Sequence, residues 1–157
     1  MSAHASHVQP ADVGAGAPVV VGVDGSSNSK AALAWAARYA ATSRLPLRVI
    51  AVWHAPTSYG WTVPLPVNWD PEADTKHFLD TEVKEVLGSE LPSGVTLSVL
   101  EGPPGRVLTE ASQHASAVVV GTRGRGQVTG MLLGSVSEFV TTHAHCPVVV
   151  VRDPNGD

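Results

Sequence analysis

The amino-acid sequence predicts an α/β fold in which a mostly parallel sheet carries helices on both faces. Short runs of β-branched residues, typical of strands buried on both faces, alternate with longer segments whose apolar residues recur at helical spacing. Because parallel strands need a long crossover between them, this alternation indicates right-handed β–α–β units. In such sheets ligands bind beyond the carboxyl ends of the strands, at the point where the strand order reverses.

Length, charge and composition limit the classes of function. The chain has 157 residues, which fits one domain, and a formal net charge of −4. That charge argues against general binding to nucleic acids or anionic membranes, which requires a basic surface. The single cysteine, Cys146, cannot form an internal disulfide and fits a reducing compartment. Since neither a signal peptide nor a membrane-spanning run is evident, we expect a cytoplasmic protein.

The predicted domain covers residues 18–152. Residues 1–17 are small and polar without periodicity, so we expect a disordered tail, and 153–157 form a short C-terminal tail. The first strand is predicted over 18–24, and Ser26 or Ser27 caps the helix that follows. The later elements are predicted as strand 47–55, helix 72–91, strand 95–100, helix 104–115, strand 117–121, helix 134–145 and strand 147–152.

A segment rich in proline and tryptophan, residues 55–71, interrupts this pattern. Its four prolines, Pro71 among them, oppose regular backbone hydrogen bonding, yet Tyr59, Trp61 and Trp69 are too apolar for a free linker. We expect a long ordered or semi-ordered loop. Its tryptophans could cover a ligand, contact a partner chain or simply pack within the loop.

A glycine-rich loop joins the fourth strand to the last helix. Strand, glycine loop and helix start together present backbone N–H groups to an anion, usually a phosphate. Gly121 and Gly124 are expected to allow close approach of the ligand and positive φ where needed. Gly134 should remove a Cβ from the front of the helix terminus. Asp24, at the end of the first strand, is a candidate for the same crevice.

The spacing of these glycines separates the loop from better-known phosphate loops. It fits neither the dinucleotide pattern G-x-G-x-x-G nor a Walker loop, and the first strand lacks the Ser-Gly-Gly loop of pyrophosphatase-type ATP enzymes. What remains, Gly121-x2-Gly124-x9-Gly134-Ser135, resembles the nucleotide-binding motif G-2x-G-9x-G-(S/T) of the universal stress protein family. The segments VVVGVDGS, EGPPGRVL and HCPVVVVR extend the resemblance over about residues 18–152.

The resemblance implies a three-layer α/β/α fold with a five-stranded parallel sheet in the order 3-2-1-4-5. This is the Rossmann-like, adenine nucleotide α-hydrolase-like arrangement, and its implied ligand is ATP with Mg²⁺ as companion ion. The family's binding residues, carried over by position, are Gly22, Val23 and Asp24 at the adenine and ribose end, Val52 at the adenine edge, Val120 and Gly121 beside the ribose, and Gly124, Gly134, Ser135, Val136 and Ser137 at the phosphates.

Several of these residues also have structural interpretations. Ser135 and Glu138 have the spacing of a capping box, in which their side chains bond to the helix's own N–H groups. Otherwise the hydroxyls of Ser135 and Ser137 would add donors for the phosphates. Arg123 and Arg125 could clamp phosphates or be solvated. Asp24 could bind ribose hydroxyls, the adenine side or a metal, or it could serve only as a turn or N-cap residue.

A histidine-rich stretch near the end of the chain invites a metal hypothesis. His143, His145 and Cys146 are close in sequence, but residues two apart at a helix end do not share a face, and a second ligand pair is not evident. We therefore expect structural roles for them and no metal site. His54, just past the second strand, could reach the crevice, although a surface or packing role is favoured.

The last strand, Val148–Val151, is apolar and would lie at the edge of the sheet. An uncharged edge strand is usually covered, and pairing with a second copy across a two-fold axis would cover it. Universal stress proteins are similar in dimerising through this strand. We expect a homodimer.

The function that the resemblance implies is an ATP-binding stress-response or regulatory module. A nucleophile–base pair or carboxylate dyad of catalytic spacing is not evident around the loop, so we do not expect a dedicated enzyme. One alternative is an enzyme of the same fold that hydrolyses ATP slowly or transfers its adenylyl group. The other is an interaction protein that binds AMP or cyclic AMP.

Overall fold

The computed structural model describes residues 16–55, 66–124 and 132–155. Within these ranges strands and helices alternate in the predicted sequence: β1 Val19–Val23, α1 Ser27–Ser43, β2 Leu47–Trp53, α2 Pro71–Leu87, β3 Val95–Glu101, α3 Pro104–Ser112, β4 Ala117–Gly121, α4 Ser135–His143 and β5 Val148–Val151. Helices that could span a membrane are absent from these parts of the chain. Residues 1–15, Tyr59, Trp61 and Arg125 lie outside the described ranges, and the predictions made for them stay predictions.

The five strands form one parallel sheet in the order β3-β2-β1-β4-β5. This order confirms the predicted fold class. Val21 of β1 pairs with Val49 of β2 on one side and with Val119 of β4 on the other. The strand order therefore reverses between β1 and β4, and a crevice opens beyond the carboxyl ends of these two strands.

Alternate residues of the central strands pack into two separate hydrophobic cores. In β1, Val19, Val21 and Val23 join the core beneath α1 and α2, whereas Val20 joins the core beneath α3 and α4. Because successive side chains of a strand point to opposite faces, a strand covered on both sides must be apolar at every position. The valine runs of β1 and β4 have this cause.

Both ends of α2 differ from the prediction. The helix begins at Pro71, one residue before the predicted start, and Asp70 caps it by accepting a hydrogen bond from the Ala73 N–H at 3.0 Å. Proline suits the first helical position, where the missing N–H would have no intrahelical partner. The helix ends at Leu87 because Gly88 takes a φ of 103°, so the predicted extension to residue 91 is wrong.

The other element boundaries need only small corrections. Ser26 caps α1 through a 3.2 Å hydrogen bond from the Ser29 N–H, which confirms one of the two predicted caps. Helix α3 ends at Ser112, three residues early, and its buried hydroxyl accepts a 2.9 Å hydrogen bond from the His145 N–H. Helix α4 ends at His143, two residues early, since Ala144 is extended. Strand β2 ends two residues before the predicted limit, at Trp53.

Candidate functional site

A cavity of about 750 Å³ opens at the carboxyl ends of β1, β2 and β4. This volume lies within the range of small-molecule sites, roughly 300–1,000 Å³. The residues predicted to bind nucleotide all line it, namely Gly22, Val23, Asp24, Val52, Val120, Gly121, Gly124, Gly134, Ser135, Val136 and Ser137. Two ends can be distinguished: an amide end formed by Asp24, residues 121–124 and the start of α4, and an α2 end formed by residues 50–52 of β2, His54 and the first turns of α2.

Asp24 occupies a tight turn at the amide end. Its Oδ1 accepts a 2.9 Å hydrogen bond from the Ser26 N–H, and its own N–H donates to Ser29 Oγ at 3.2 Å. This is the turn role that the sequence offered as an alternative. The two roles are compatible, because Asp24 also lines the cavity and its Oδ2 lies against Gly124.

The glycines of the loop are required by close packing between chain segments. A Cβ on Gly121 would lie 2.8 Å from the Asn28 backbone carbon, and one on Gly124 would collide with the Asp24 carboxylate. Neither glycine has a positive φ, so conformational freedom is not what these positions need. A Cβ on Gly134 would lie 3.3 Å from Arg123 Cα. It would therefore point toward the loop backbone that precedes α4, and the expectation that Gly134 keeps a Cβ from the front of the helix stays a prediction.

Helix α4 starts one residue earlier than a capping box at Ser135 requires. Gly134 is the N-cap, its N–H donates to the Thr122 carbonyl at 2.7 Å, and Ser135 is the first helical residue. The first intrahelical bond runs from the Glu138 N–H to the Gly134 carbonyl at 2.9 Å. The N–H groups of residues 135–137 precede that bond and thus have no carbonyl acceptor within the helix. These three amides can hold an anion.

The two serines of this turn differ in what their hydroxyls do. Ser137 Oγ is buried and lies 2.8 Å from the Thr122 carbonyl and 3.0 Å from the Gly134 carbonyl, so its one proton is donated to the backbone. The expectation that this hydroxyl adds a donor for phosphate is therefore wrong, and Ser137 contributes only its N–H. Ser135 is exposed, and its hydroxyl has no hydrogen bond within the described parts of the chain.

The α2 end has an apolar wall that the sequence analysis missed except for Val52. Ile50 and Val52 at the end of β2 face this region together with Phe78 of α2 and Leu108 of α3. Helical spacing placed Phe78 on the apolar stripe of α2, but it did not show that the stripe reaches the end of β2. The missed lining residues are Ser26, Ser29, Ile50, Ala51, Asp74, Thr75, Phe78, Pro104, Leu108 and Leu133.

Acidic side chains outnumber basic ones in the described lining. Asp24, Asp74 and Glu138 face the cavity together with one arginine, Arg123, while Arg125 lies outside the described residues. His54 also lines the cavity. A phosphorylated ligand would therefore depend on backbone amides and on a cation for part of its charge compensation.

The histidines and the cysteine near the C-terminus make local contacts. The His143 ring stacks on Phe139 with a centroid distance of 4.1 Å, and its Nδ1 lies 2.9 Å from the Phe139 carbonyl. Burial raises the pKa of the Cys146 thiol, which disfavours the thiolate that a metal would need. Within residues 16–55, 66–124 and 132–155, groups of three or more side chains placed to hold a metal ion are absent.

Comparisons with known proteins agree with this geometry. The model of the universal stress protein family matches residues 17–152. A universal stress protein of Mycobacterium tuberculosis is 36% identical over 139 residues, a match that covers 85% of this chain and 47% of the relative. The chain thus spans about half the length of the curated relatives it matches.

Two solved structures of this family match over most of their own length. A universal stress protein in complex with cAMP has 26% identity and a TM-score of 0.64, over 88% of this chain and 98% of that one. One from Archaeoglobus fulgidus in complex with dAMP has 25% identity and a TM-score of 0.58, over 85% and 96%. With its matching family model, sheet order and glycine spacing, this chain belongs to the universal stress protein family.

Proposed function

We propose that the cavity binds an adenine nucleotide, with ATP and its Mg²⁺ as the first candidate. In this proposal the protein is a nucleotide-binding stress-response or regulatory module of the cytoplasm. The observation that carries it is the convergence of all eleven predicted residues on one cavity of about 750 Å³. Its amide end can hold phosphate, and its apolar α2 end can hold a base.

The α2 end supports an adenine-type base. Val52 on one face of the sheet and Phe78 on the other are only partly buried, so both offer apolar surface to the cavity, with Ile50 and Leu108 buried behind Val52. A flat heterocycle gains free energy from leaving water for such a surface. The related structures named above hold cAMP and dAMP, both adenine nucleotides.

The amide end supports phosphate but also requires a cation for a triphosphate. The groups that can compensate phosphate charge are three helix amides and Arg123, whereas three carboxylates also line the cavity. The four negative charges of ATP therefore need further neutralisation. Mg²⁺ prefers phosphate oxygens and water, and it would be held by the nucleotide more than by the protein. We expect ATP affinity to fall when Mg²⁺ is removed with a chelator.

A second candidate ligand is cyclic AMP or AMP. The surplus of carboxylates in the lining favours a nucleotide of low charge, and one related structure holds cAMP. Titration calorimetry with ATP, with and without Mg²⁺, and with AMP and cAMP separates these candidates. Tighter binding of cAMP than of Mg²⁺-ATP would replace the first candidate by the second.

Native mass spectrometry of the freshly purified chain tests nucleotide binding and its location. We expect a bound mass that reports the number of phosphates. Gly124→Ala should reduce that mass, because the added Cβ forces the Asp24 carboxylate, which lines the site, to move. Glu72→Gln, an exposed change on α2 outside the cavity lining, is the matched control. The same nucleotide occupancy in folded Gly124→Ala as in the wild type would refute the site assignment.

We propose that the protein is not a dedicated enzyme and that any ATP hydrolysis is slow. The candidate general base at the amide end is the Asp24 carboxylate. It accepts a hydrogen bond from the Ser26 N–H and borders Gly124, so it already has a structural role. Typical enzymes turn over at about 10 s⁻¹. We expect a rate far below this, unchanged within error by Asp24→Asn. Fast turnover that Asp24→Asn abolishes would instead support the enzyme alternative.

We also propose a homodimer through β5. The Val118 N–H donates to the Pro147 carbonyl and the Thr122 N–H to the Val151 carbonyl, so alternate residues of β5 bond to β4. Val148 and Val150 then direct their backbone N–H groups away from β4. A second copy can pair with this edge.

Substitution of Val150 tests the proposed dimer. Proline is tolerated on an edge strand where the N–H faces outward, so Val150→Pro removes the outward donor with little effect on the β4 ladder. Val150→Ala loses similar packing but keeps the N–H, and it serves as the control. By sedimentation we expect a dimer for the wild type and for the alanine variant, and weaker association for proline. A monomeric wild type at micromolar concentration would contradict this proposal.

A further inference from the structure

Asn28, the second residue of α1, lies where three distant segments of the chain meet. Its side chain is almost completely buried, with 4% exposure. Asn28 Nδ2 lies 3.4 Å from the carbonyl oxygen of Arg123 in the glycine loop. Asn28 Oδ1 accepts a 2.8 Å hydrogen bond from the N–H of Asp153, two residues after β5. One amide thus connects the amide end of the cavity with the segment that leaves the edge strand.

The Arg123 carbonyl is a central point of the amide end. Ser26 Oγ is a second donor to it, at 3.4 Å. The preceding carbonyl, that of Thr122, accepts from the Gly134 N–H and from the Ser137 hydroxyl, which sets the start of α4. The position of the Arg123 peptide therefore links α1 to the residues that would hold phosphate.

A purely structural role would be to satisfy a buried amide, and many buried asparagines do no more. Two observations go beyond that. The partners of Asn28 are 95 and 125 residues away in sequence, so the amide bridges separate segments and does not cap its own helix. Gly121 also packs so closely on Asn28 that no Cβ fits between them. Movement of Asn28 would therefore displace the loop directly.

We propose that Asn28 is a positioning residue that holds the Arg123–Gly124 backbone in its ligand-binding place and couples it to the segment after β5. This inference rests on the proposed nucleotide function. Its consequence is reciprocal: loss of the Asp153 hydrogen bond weakens nucleotide binding, and bound nucleotide protects the Asp153 amide from hydrogen exchange.

Paired substitutions at Asp153 test the coupling without changing the core. Asp153→Pro removes the N–H that donates to Asn28 Oδ1, whereas Asp153→Ala keeps this N–H and loses only the carboxylate. We expect the proline variant to bind nucleotide about threefold to tenfold more weakly than the wild type, which is the change in affinity that loss of one hydrogen bond causes. The alanine variant should bind as the wild type does. Equal affinity of the two variants would overturn the inference.

Asn28→Ala completes a double-mutant cycle with Asp153→Pro. Because both changes break the same link, we expect the double variant to bind no more weakly than Asn28→Ala alone. Fully additive losses would contradict the coupling. Thermal unfolding shows whether Asn28→Ala is folded, and the Asp153 pair tests the inference if it is not.

Hydrogen exchange separates failure of this inference from failure of the proposed function. If the wild type binds no nucleotide, the proposed function fails, while the mechanical link can still be measured. Asn28→Ala should then speed exchange at the amides of Asp153 and Gly134 relative to the wild type, since the Asp153 acceptor is lost and the loop that bonds Gly134 is loosened. Unchanged exchange at both amides would overturn the link.

Discussion

The two ends of the cavity are built in different ways. At the amide end, backbone groups and short side chains hold one another through hydrogen bonds that join the Asp24 turn, α1, the glycine loop and the start of α4. At the α2 end, the wall consists of side chains such as Phe78, placed by the packing of α2 on one face of the sheet, and Ile50, which packs beneath α3 and α4 on the other face. The amide end thus depends on glycines at positions where a Cβ would collide with another chain segment. The α2 end depends on which side chains form its surface.

This difference has a consequence for how the site tolerates change. At the amide end, a substitution that alters the spacing of chain segments should impair ligand binding and folding together. At the α2 end a substitution changes the surface offered to the ligand, so selectivity should change while the fold persists. The following substitutions test this contrast, beginning with the largest expected effect.

Gly121→Val should be the most damaging change at the amide end. Its Cβ would lie 2.8 Å from both the backbone carbon and the Cβ of Asn28, and a helix backbone cannot move aside as a flexible side chain can. We expect a loss of about 3 kcal/mol in the free energy of unfolding, together with loss of nucleotide binding. Denaturant unfolding measures the first and calorimetry the second. A variant as stable as the wild type would contradict the close-packing explanation.

The two serines of α4 should separate folding from binding. Ser137→Ala removes a buried hydroxyl that donates its one proton to the Thr122 and Gly134 carbonyls beside their backbone donors, so we expect a loss of about 1 kcal/mol in unfolding free energy. Ser135→Ala removes only an exposed hydroxyl and should change stability by less than about 0.5 kcal/mol. If Ser135 contacts phosphate, its variant binds nucleotide more weakly despite full stability. Equal stability of the two variants would contradict this assignment.

Asp74→Asn should have the smallest effect and act on affinity alone. Asp74 is exposed at the rim of the α2 end, and removal of its charge lowers the repulsion felt by an anionic ligand. We expect ATP to bind about twofold more tightly at low salt, an effect that screening removes at high salt. Glu72→Gln removes an exposed charge two residues away, outside the lining, and should do less. A larger effect of Glu72→Gln would point to long-range charge and not to the cavity wall.

Local patterns in the sequence, including the glycine spacing, were enough to predict the order of strands and helices and the position of the phosphate-binding loop. Runs of β-branched residues identify strands that are covered on both faces, and a glycine motif marks positions where a Cβ does not fit. Both patterns can be read without knowing which distant residues are in contact. The resemblance carried by that motif supplied the order β3-β2-β1-β4-β5 and eleven residues that all line one cavity.

Only the tertiary structure decided which segments meet around that cavity. The links of Asn28 to Arg123 and Asp153, the donation of the Ser137 proton to backbone carbonyls, and the placement of Phe78 at the end of β2 involve partners well separated in sequence. Such contacts exist because β1 pairs with β4 and α2 packs beside β2, and a local sequence pattern carries no information about those distances.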